Sequence, residues 1–110
     1  MKVYIKNVGM RVTRQGIIDR DGHICQYCGE RITGKRLTID HVYPKSKGGK
    51  MKWENVVVSC WKCNNKKGNR LLKSCGMKLI REPKAPSIID LFLGLNNGKY
   101  DWLKKLEVQK

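Results

Sequence analysis

Residues 25–28 read Cys25-Gln26-Tyr27-Cys28, and residues 60–64 read Cys60-Trp61-Lys62-Cys63-Asn64. Two cysteines three apart can grip one ion from a single turn. Two such turns complete a tetrahedral shell of four thiolates, which suits zinc and leaves no open position for water. A redox role would call for a βαβ frame, and neither pair has one. A structural zinc on Cys25, Cys28, Cys60 and Cys63 is therefore expected. Cys75 is a fifth cysteine. An odd count argues against a closed disulfide framework, and Cys75 itself reads as a small core residue.

The stretch between the two knuckles supplies the rest of the architecture. Leu37-Thr38-Ile39-Asp40-His41-Val42 has the β-branching and alternation of a strand. Residues 44–52 form a Gly- and Lys-rich loop. Residues 56–59 are a second, apolar strand, and residues 64–72 read as a helix with Asn64 as its cap. Upstream, residues 13–19 read as a short helix capped by Thr13 and stopped at Asp21-Gly22. His23 reads as structural or exposed. The expected class is α+β. Pro83 and Pro86 divide a compact unit, residues 1–82, from a tail, residues 83–110. Residues 2–5 suggest a strand. In the tail, helices are expected over 88–93 (from a capping box of Ser87 and Asp90) and 99–108, with a turn at Asn97-Gly98. The tail carries an apolar cluster and either wraps the core or docks a partner.

Charge narrows the partners. The chain has 110 residues, 24 Lys and Arg against 9 Asp and Glu, and a formal net charge of +15. A net charge of about 2–8 suffices to keep a small domain soluble. A field this positive draws polyanions, and nucleic acid is the commonest of them. No apolar run approaches the roughly 20 residues of a membrane span. Residues 1–10 carry no apolar segment with a small-residue cleavage site, so a cytoplasmic location is expected. Two acids, Asp40 and Glu54, stand in the basic stretch of residues 37–80.

Asp40 and His41 are the residues that could do chemistry, because four-thiolate zinc cannot. A carboxylate holds a hard divalent cation, and an imidazole serves as general base near neutral pH. Asn64, at the start of the helix leaving the second knuckle, offers an amide oxygen as a second ligand. Asn65 could compete for that role but reads better as a solvated helix residue. Read alone, an Asp-His pair is common, and its place between the knuckles is what raises it.

Four segments together, Cys25-Gln-Tyr-Cys28-Gly29, Thr38-Ile-Asp40-His41-Val, Trp53-Glu54-Asn55-Val and Ser59-Cys60-Trp-Lys-Cys63-Asn64-Asn-Lys-Lys67-Gly68-Asn69, resemble the HNH endonucleases. The likeness runs over residues 11–69, and residues 76–87 resemble the segment after the motif in some small bacterial members. It implies the ββα-metal (His-Me finger) fold with a four-cysteine zinc site and flanking short helices. It implies His41 as general base, Asn55 steadying the loop that holds the base, and Asp40 with Asn64 as ligands of the catalytic ion. Asn64 stands where many members have the last His, so this is an HNN variant, and oxygen donors favour Mg2+ or Mn2+. The implied reaction is hydrolysis of DNA phosphodiesters to 5′-phosphate and 3′-hydroxyl ends. One chain would nick one strand. A double-strand break would need a homodimer or two separate nicks.

Lys45, Lys47, Lys50 and Lys52 on the loop, with Lys66, Lys67 and Arg70 on the helix, are the candidates for contacts to the backbone of double-stranded DNA. Trp53 and Trp61 are expected to cover the zinc core rather than stack on bases. Two other classes compete. A non-catalytic basic zinc-knuckle module explains the charge and the cysteines but not Asp40, His41, Asn55 and Asn64 in register. An adaptor to a larger nuclease or phage packaging machine, acting in a host cytoplasm, would use residues 83–110 for docking.

Overall fold

The computed structural model describes residues 11–87, of which Val12–Lys84 form one compact unit. Its centre is an antiparallel hairpin of β1 (Leu37–His41) and β2 (Val56–Cys60). The register pairs Leu37 with Cys60, Asp40 with Val57 and His41 with Val56. Cys60 at the end of β2 thus stands opposite the start of β1. Asp40 and His41 stand at the other end, where the chain leaves for the basic loop. Every residue of β2 is buried, as expected of a continuous apolar run. In β1 only Leu37 and Asp40 are buried. A buried carboxylate on an otherwise half-covered strand requires partners.

The outer edge of β2 is not left open. The Val58 N–H donates to Asp21 Oδ2 at 2.8 Å, and its carbonyl accepts from the Gln26 N–H at 2.9 Å. The Val56 carbonyl accepts from Arg20 Nη2 at 2.7 Å. These contacts satisfy backbone groups that would otherwise offer a pairing edge. They also hold α1 (Arg14–Asp21) against β2.

The helix α1 begins where the sequence indicates. Thr13 Oγ1 accepts from the Gly16 N–H at 3.0 Å, a side-chain cap worth about 1 kcal/mol. It ends at Gly22, whose φ of 67° is the left-handed geometry that stops a helix. The helix runs two residues beyond the expected end because Arg20 and Asp21 are tied to each other and to β2. Ile17, Ile18, Ile32, Leu37, Trp53 and Val56–Val58 form the core.

After β2 the structure departs from expectation. The helix α2 is Trp61–Lys67, and its N-cap is Cys60 rather than Asn64. The second knuckle is itself the first turn of the helix, with Cys60 Sγ accepting from the Cys63 N–H at 3.4 Å. Asn64 therefore sits inside α2. The helix stops at Lys67, not near Leu72, because Gly68 takes φ 58° and ψ −136°. A separate turn, α3 (Leu72–Cys75), comes next. Cys75 is half-buried, its thiol 3.4 Å from the Leu71 carbonyl. Trp53 is buried as expected, but Trp61 is 60% exposed and does not cover the metal centre.

His23 is half-buried with φ 63°, and its Nδ1 is buried without a hydrogen-bond partner among the described residues. The strand expected at residues 2–5, the tail helices and turn over residues 88–108, and the capping box that needs Asp90 lie outside the described residues. Among the described residues no helix is long and apolar enough to cross a membrane.

Candidate metal centres and the family they define

The four sulfurs of Cys25, Cys28, Cys60 and Cys63 all lie within 4.8 Å of one another, and those of Cys28 and Cys60 are 3.9 Å apart. A tetrahedron with Zn–S bonds of about 2.3 Å has edges of about 3.8 Å, so the four donors fit zinc. Both knuckles are built alike. The Cys28 N–H donates to Cys25 Sγ at 3.4 Å, as the Cys63 N–H does to Cys60 Sγ.

Burial pushes the Cys25 thiol up. Backbone N–H groups, including that of Cys28, outweigh burial and bring it down to about 7. Cys28 and Cys63 are pushed up, by desolvation first and then by neighbouring sulfurs. Zinc binds cysteine as thiolate, so the protons held on Cys28 and Cys63 are displaced when a metal binds.

The second constellation is built on the face of β1 that carries Thr38 and Asp40. Asn64 Nδ2 donates to Thr38 Oγ1 at 2.9 Å, and Thr38 Oγ1 donates to the Ser59 carbonyl at 2.8 Å. Asp40 Oδ2 accepts from the Tyr27 hydroxyl at 2.6 Å and lies 3.2 Å from Lys67 Nζ. The same ammonium donates to the His41 carbonyl at 2.9 Å. Asp40 Oδ1 has no hydrogen bond among the described residues. With its amide N–H on Thr38, Asn64 keeps its amide oxygen as the unspent acceptor. These are oxygen donors suited to a hard divalent ion such as Mg2+ or Mn2+. The His41 ring is half-buried and makes no hydrogen bond among the described residues.

Asn55 ties down the chain that leaves His41. Its Oδ1 accepts from the Tyr43 N–H at 2.8 Å, and its Nδ2 donates to the carbonyls of Tyr43 and Lys50 at 3.2 and 3.0 Å. Its own carbonyl accepts from the Val42 N–H at 2.8 Å. Gly49 closes the same loop. A Cβ there would lie 1.8 Å from the Tyr43 carbonyl oxygen, so no other residue fits without opening the turn.

Lys67 corrects one expectation. It is fully buried against Asp40 and His41 and cannot reach a phosphate at the surface. It lies three residues after Asn64, on the helix face that packs on β1, and that spacing is the signal that separates it from Lys66. Lys45, Lys47, Lys50, Lys52, Lys66 and Arg70 are exposed, and none pairs with an acid among the described residues. The contact of Tyr27 with Asp40 is one that the sequence does not reveal, since no pattern links the middle of a knuckle to Asp40.

The sequence profile of a family described as HNH endonuclease matches residues 25–80, which span both knuckles, the hairpin, α2 and α3. The CRISPR-associated endonuclease Cas9 of Corynebacterium diphtheriae (strain ATCC 700971 / NCTC 13129 / Biotype gravis) is 38% identical to this chain over 53 residues. The match covers 47% of this chain and only 5% of that protein. With the four-cysteine centre, the hairpin and the helix in place, this chain belongs to the HNH endonuclease family.

Proposed function

We propose that this chain hydrolyses DNA phosphodiester bonds, with His41 as general base and Mg2+ or Mn2+ held by Asp40 and Asn64. One observation carries the reading. Asn64 on α2 hydrogen-bonds to Thr38, two residues before Asp40 on β1, and Asp40 is followed by a histidine whose ring makes no hydrogen bond among the described residues. Phosphodiester hydrolysis needs an activated water, relief of phosphate charge and a stabilised leaving oxygen. A divalent ion would supply Lewis acidity at the phosphate and the leaving 3′-oxygen.

The protein supplies the rest. An imidazole takes a proton from water and returns it near neutral pH. Asn55 holds the main chain just after His41, so the base cannot drift from its target. Lys67 fixes the His41 carbonyl and the Asp40 carboxylate together. The exposed cations at residues 45, 47, 50, 52, 66 and 70 bind the phosphate backbone, which places DNA without reading its sequence. The described residues hold one such site, so one chain nicks one strand, leaving 5′-phosphate and 3′-hydroxyl ends. A double-strand break requires two chains or two events.

The test is nicking of supercoiled plasmid in Mg2+ and in Mn2+, with wild type beside His41→Ala, each carrying one bound zinc. Nicking by wild type and none by the folded mutant is the expected result. If neither protein cuts while both retard DNA in a salt-sensitive way, the chain is a nucleic-acid-binding module and the hydrolytic reading fails.

A further inference from the structure

The short bond from the Tyr27 hydroxyl to Asp40 Oδ2 joins the two metal centres. Tyr27 lies between Cys25 and Cys28, so its position is set by the knuckle that those thiolates close around zinc. Cys25 is buried, and the Gln26 N–H is anchored to the Val58 carbonyl at 2.9 Å. The knuckle therefore has little freedom, and neither has the hydroxyl it presents. Asp40 is buried as well, and its Oδ2 is held from two sides, by Tyr27 at 2.6 Å and by Lys67 at 3.2 Å. A carboxylate gripped twice through one oxygen cannot rotate, and the other oxygen, Oδ1, is left for a ligand. Partners of a metal-binding carboxylate act in this way, by fixing its orientation.

We propose that Tyr27 is a positioning residue for the hydrolytic metal. It makes the first zinc knuckle part of the catalytic apparatus as well as a staple of the fold. The proposal rests on the reading of Asp40 as a ligand of that metal. Zinc binding then sets activity in two ways, by folding the chain and by placing the hydroxyl that aims Asp40.

The experiment uses the full, zinc-loaded chain with Tyr27→Phe, which keeps the ring and removes one oxygen. Affinity for Mn2+ is read from the paramagnetic resonance signal of free manganese, and Mg2+ dependence from plasmid nicking. DNA affinity and zinc content are measured beside them. Loss of an outer-sphere partner typically costs about 10–100-fold in metal affinity or activity. The expected result is weaker Mn2+ binding by about tenfold and a matching shift of the Mg2+ curve, with one zinc and wild-type DNA affinity retained. Wild-type Mn2+ affinity and Mg2+ dependence in Tyr27→Phe would overturn the proposal, and so would loss of zinc, which would make Tyr27 structural. Asp40→Ala separates this failure from that of the underlying reading. If Asp40→Ala abolishes nicking and Mn2+ binding while Tyr27→Phe changes neither, only the role of Tyr27 fails. If Asp40→Ala leaves both intact, the metal site itself has been misassigned and the proposal falls with it.

Discussion

Lys67 Nζ, sealed from solvent, stands 3.2 Å from Oδ2 of Asp40. The pair lies in a basic chain where most lysines are solvated, and it is the one ion pair among the described residues that joins α2 to β1. Removing one partner of a buried pair leaves the other charge uncompensated, at a cost of about 3–5 kcal/mol. Lys67→Met is expected to lower stability by that order, read by urea denaturation at constant zinc, and to abolish nicking. Lys66→Ala should stay within about 0.5 kcal/mol of wild type, because an exposed lysine without a partner holds nothing together. It should weaken DNA binding and reduce the slope of affinity against salt by about one. Equal stability losses in the two variants would refute the distinction.

The loop after His41 offers a second test. Asn55→Ala would strip the Tyr43 N–H of its acceptor and free the carbonyls of Tyr43 and Lys50. Hydrogen bonds of this kind are worth about 1 kcal/mol each. Stability should fall by about 1–3 kcal/mol. The fall in kcat should be more than tenfold, with zinc content unchanged, because misplaced groups lose rate steeply. Gly49→Ala should act through the same loop, since its Cβ would strike the Tyr43 carbonyl. Wild-type kcat in both variants would remove the loop from the mechanism.

Zinc binding should release protons and weaken in acid. Backbone N–H groups outweigh burial at Cys25 and lower it from 9.0 to about 7. That thiolate contributes stability fully present above the unfolded value of 9.0 and lost as pH falls through about 7. Cys28 and Cys63 are raised, so they still carry their protons at pH 7–8 and zinc must displace them. At pH 8 in weak buffer, adding zinc should acidify the solution. Between pH 8 and pH 6 the apparent zinc affinity should fall steeply. No proton release would mean that the four thiols do not all bind as thiolates.

The parts of this architecture that can be read from the sequence are those encoded by short spacing. Each CxxC is one local turn, and Leu37 to His41 is one short strand, so the zinc centre and the position of Asp40 are set by neighbours in the chain. The rest depends on which face packs. Lys67 differs from Lys66 only in lying on the side of α2 that meets β1. Trp61 and Trp53 look alike as letters, yet Trp61, the first residue of α2, is exposed while Trp53 is buried. Asn64 looks like a cap only if knuckle and helix are consecutive. In the fold they overlap, and Cys60 serves at once as zinc ligand, strand end and helix cap. The link from Tyr27 to Asp40 spans two segments with no shared pattern, and only their packing reveals it.

That link has a spectroscopic consequence independent of catalysis. The Tyr27 hydroxyl is pushed well above its ordinary value of 10.0, first by burial, then by its hydrogen bond to Asp40 and by the charge of that carboxylate. A raised folded-state value means that the folded protein keeps a proton the unfolded chain would release. The stabilisation is fully present below pH 10 and is lost as pH climbs above it. Of the four tyrosines in the chain, Tyr27 should therefore not ionise until the protein unfolds. Alkaline titration followed by tyrosinate absorbance should show a delayed step that coincides with loss of near-ultraviolet circular dichroism. Tyr27→Phe should remove that step and leave the ionisation of the other tyrosines unchanged. A single wild-type transition near pH 10, complete before any unfolding, would show that the hydroxyl is not held by Asp40 in solution.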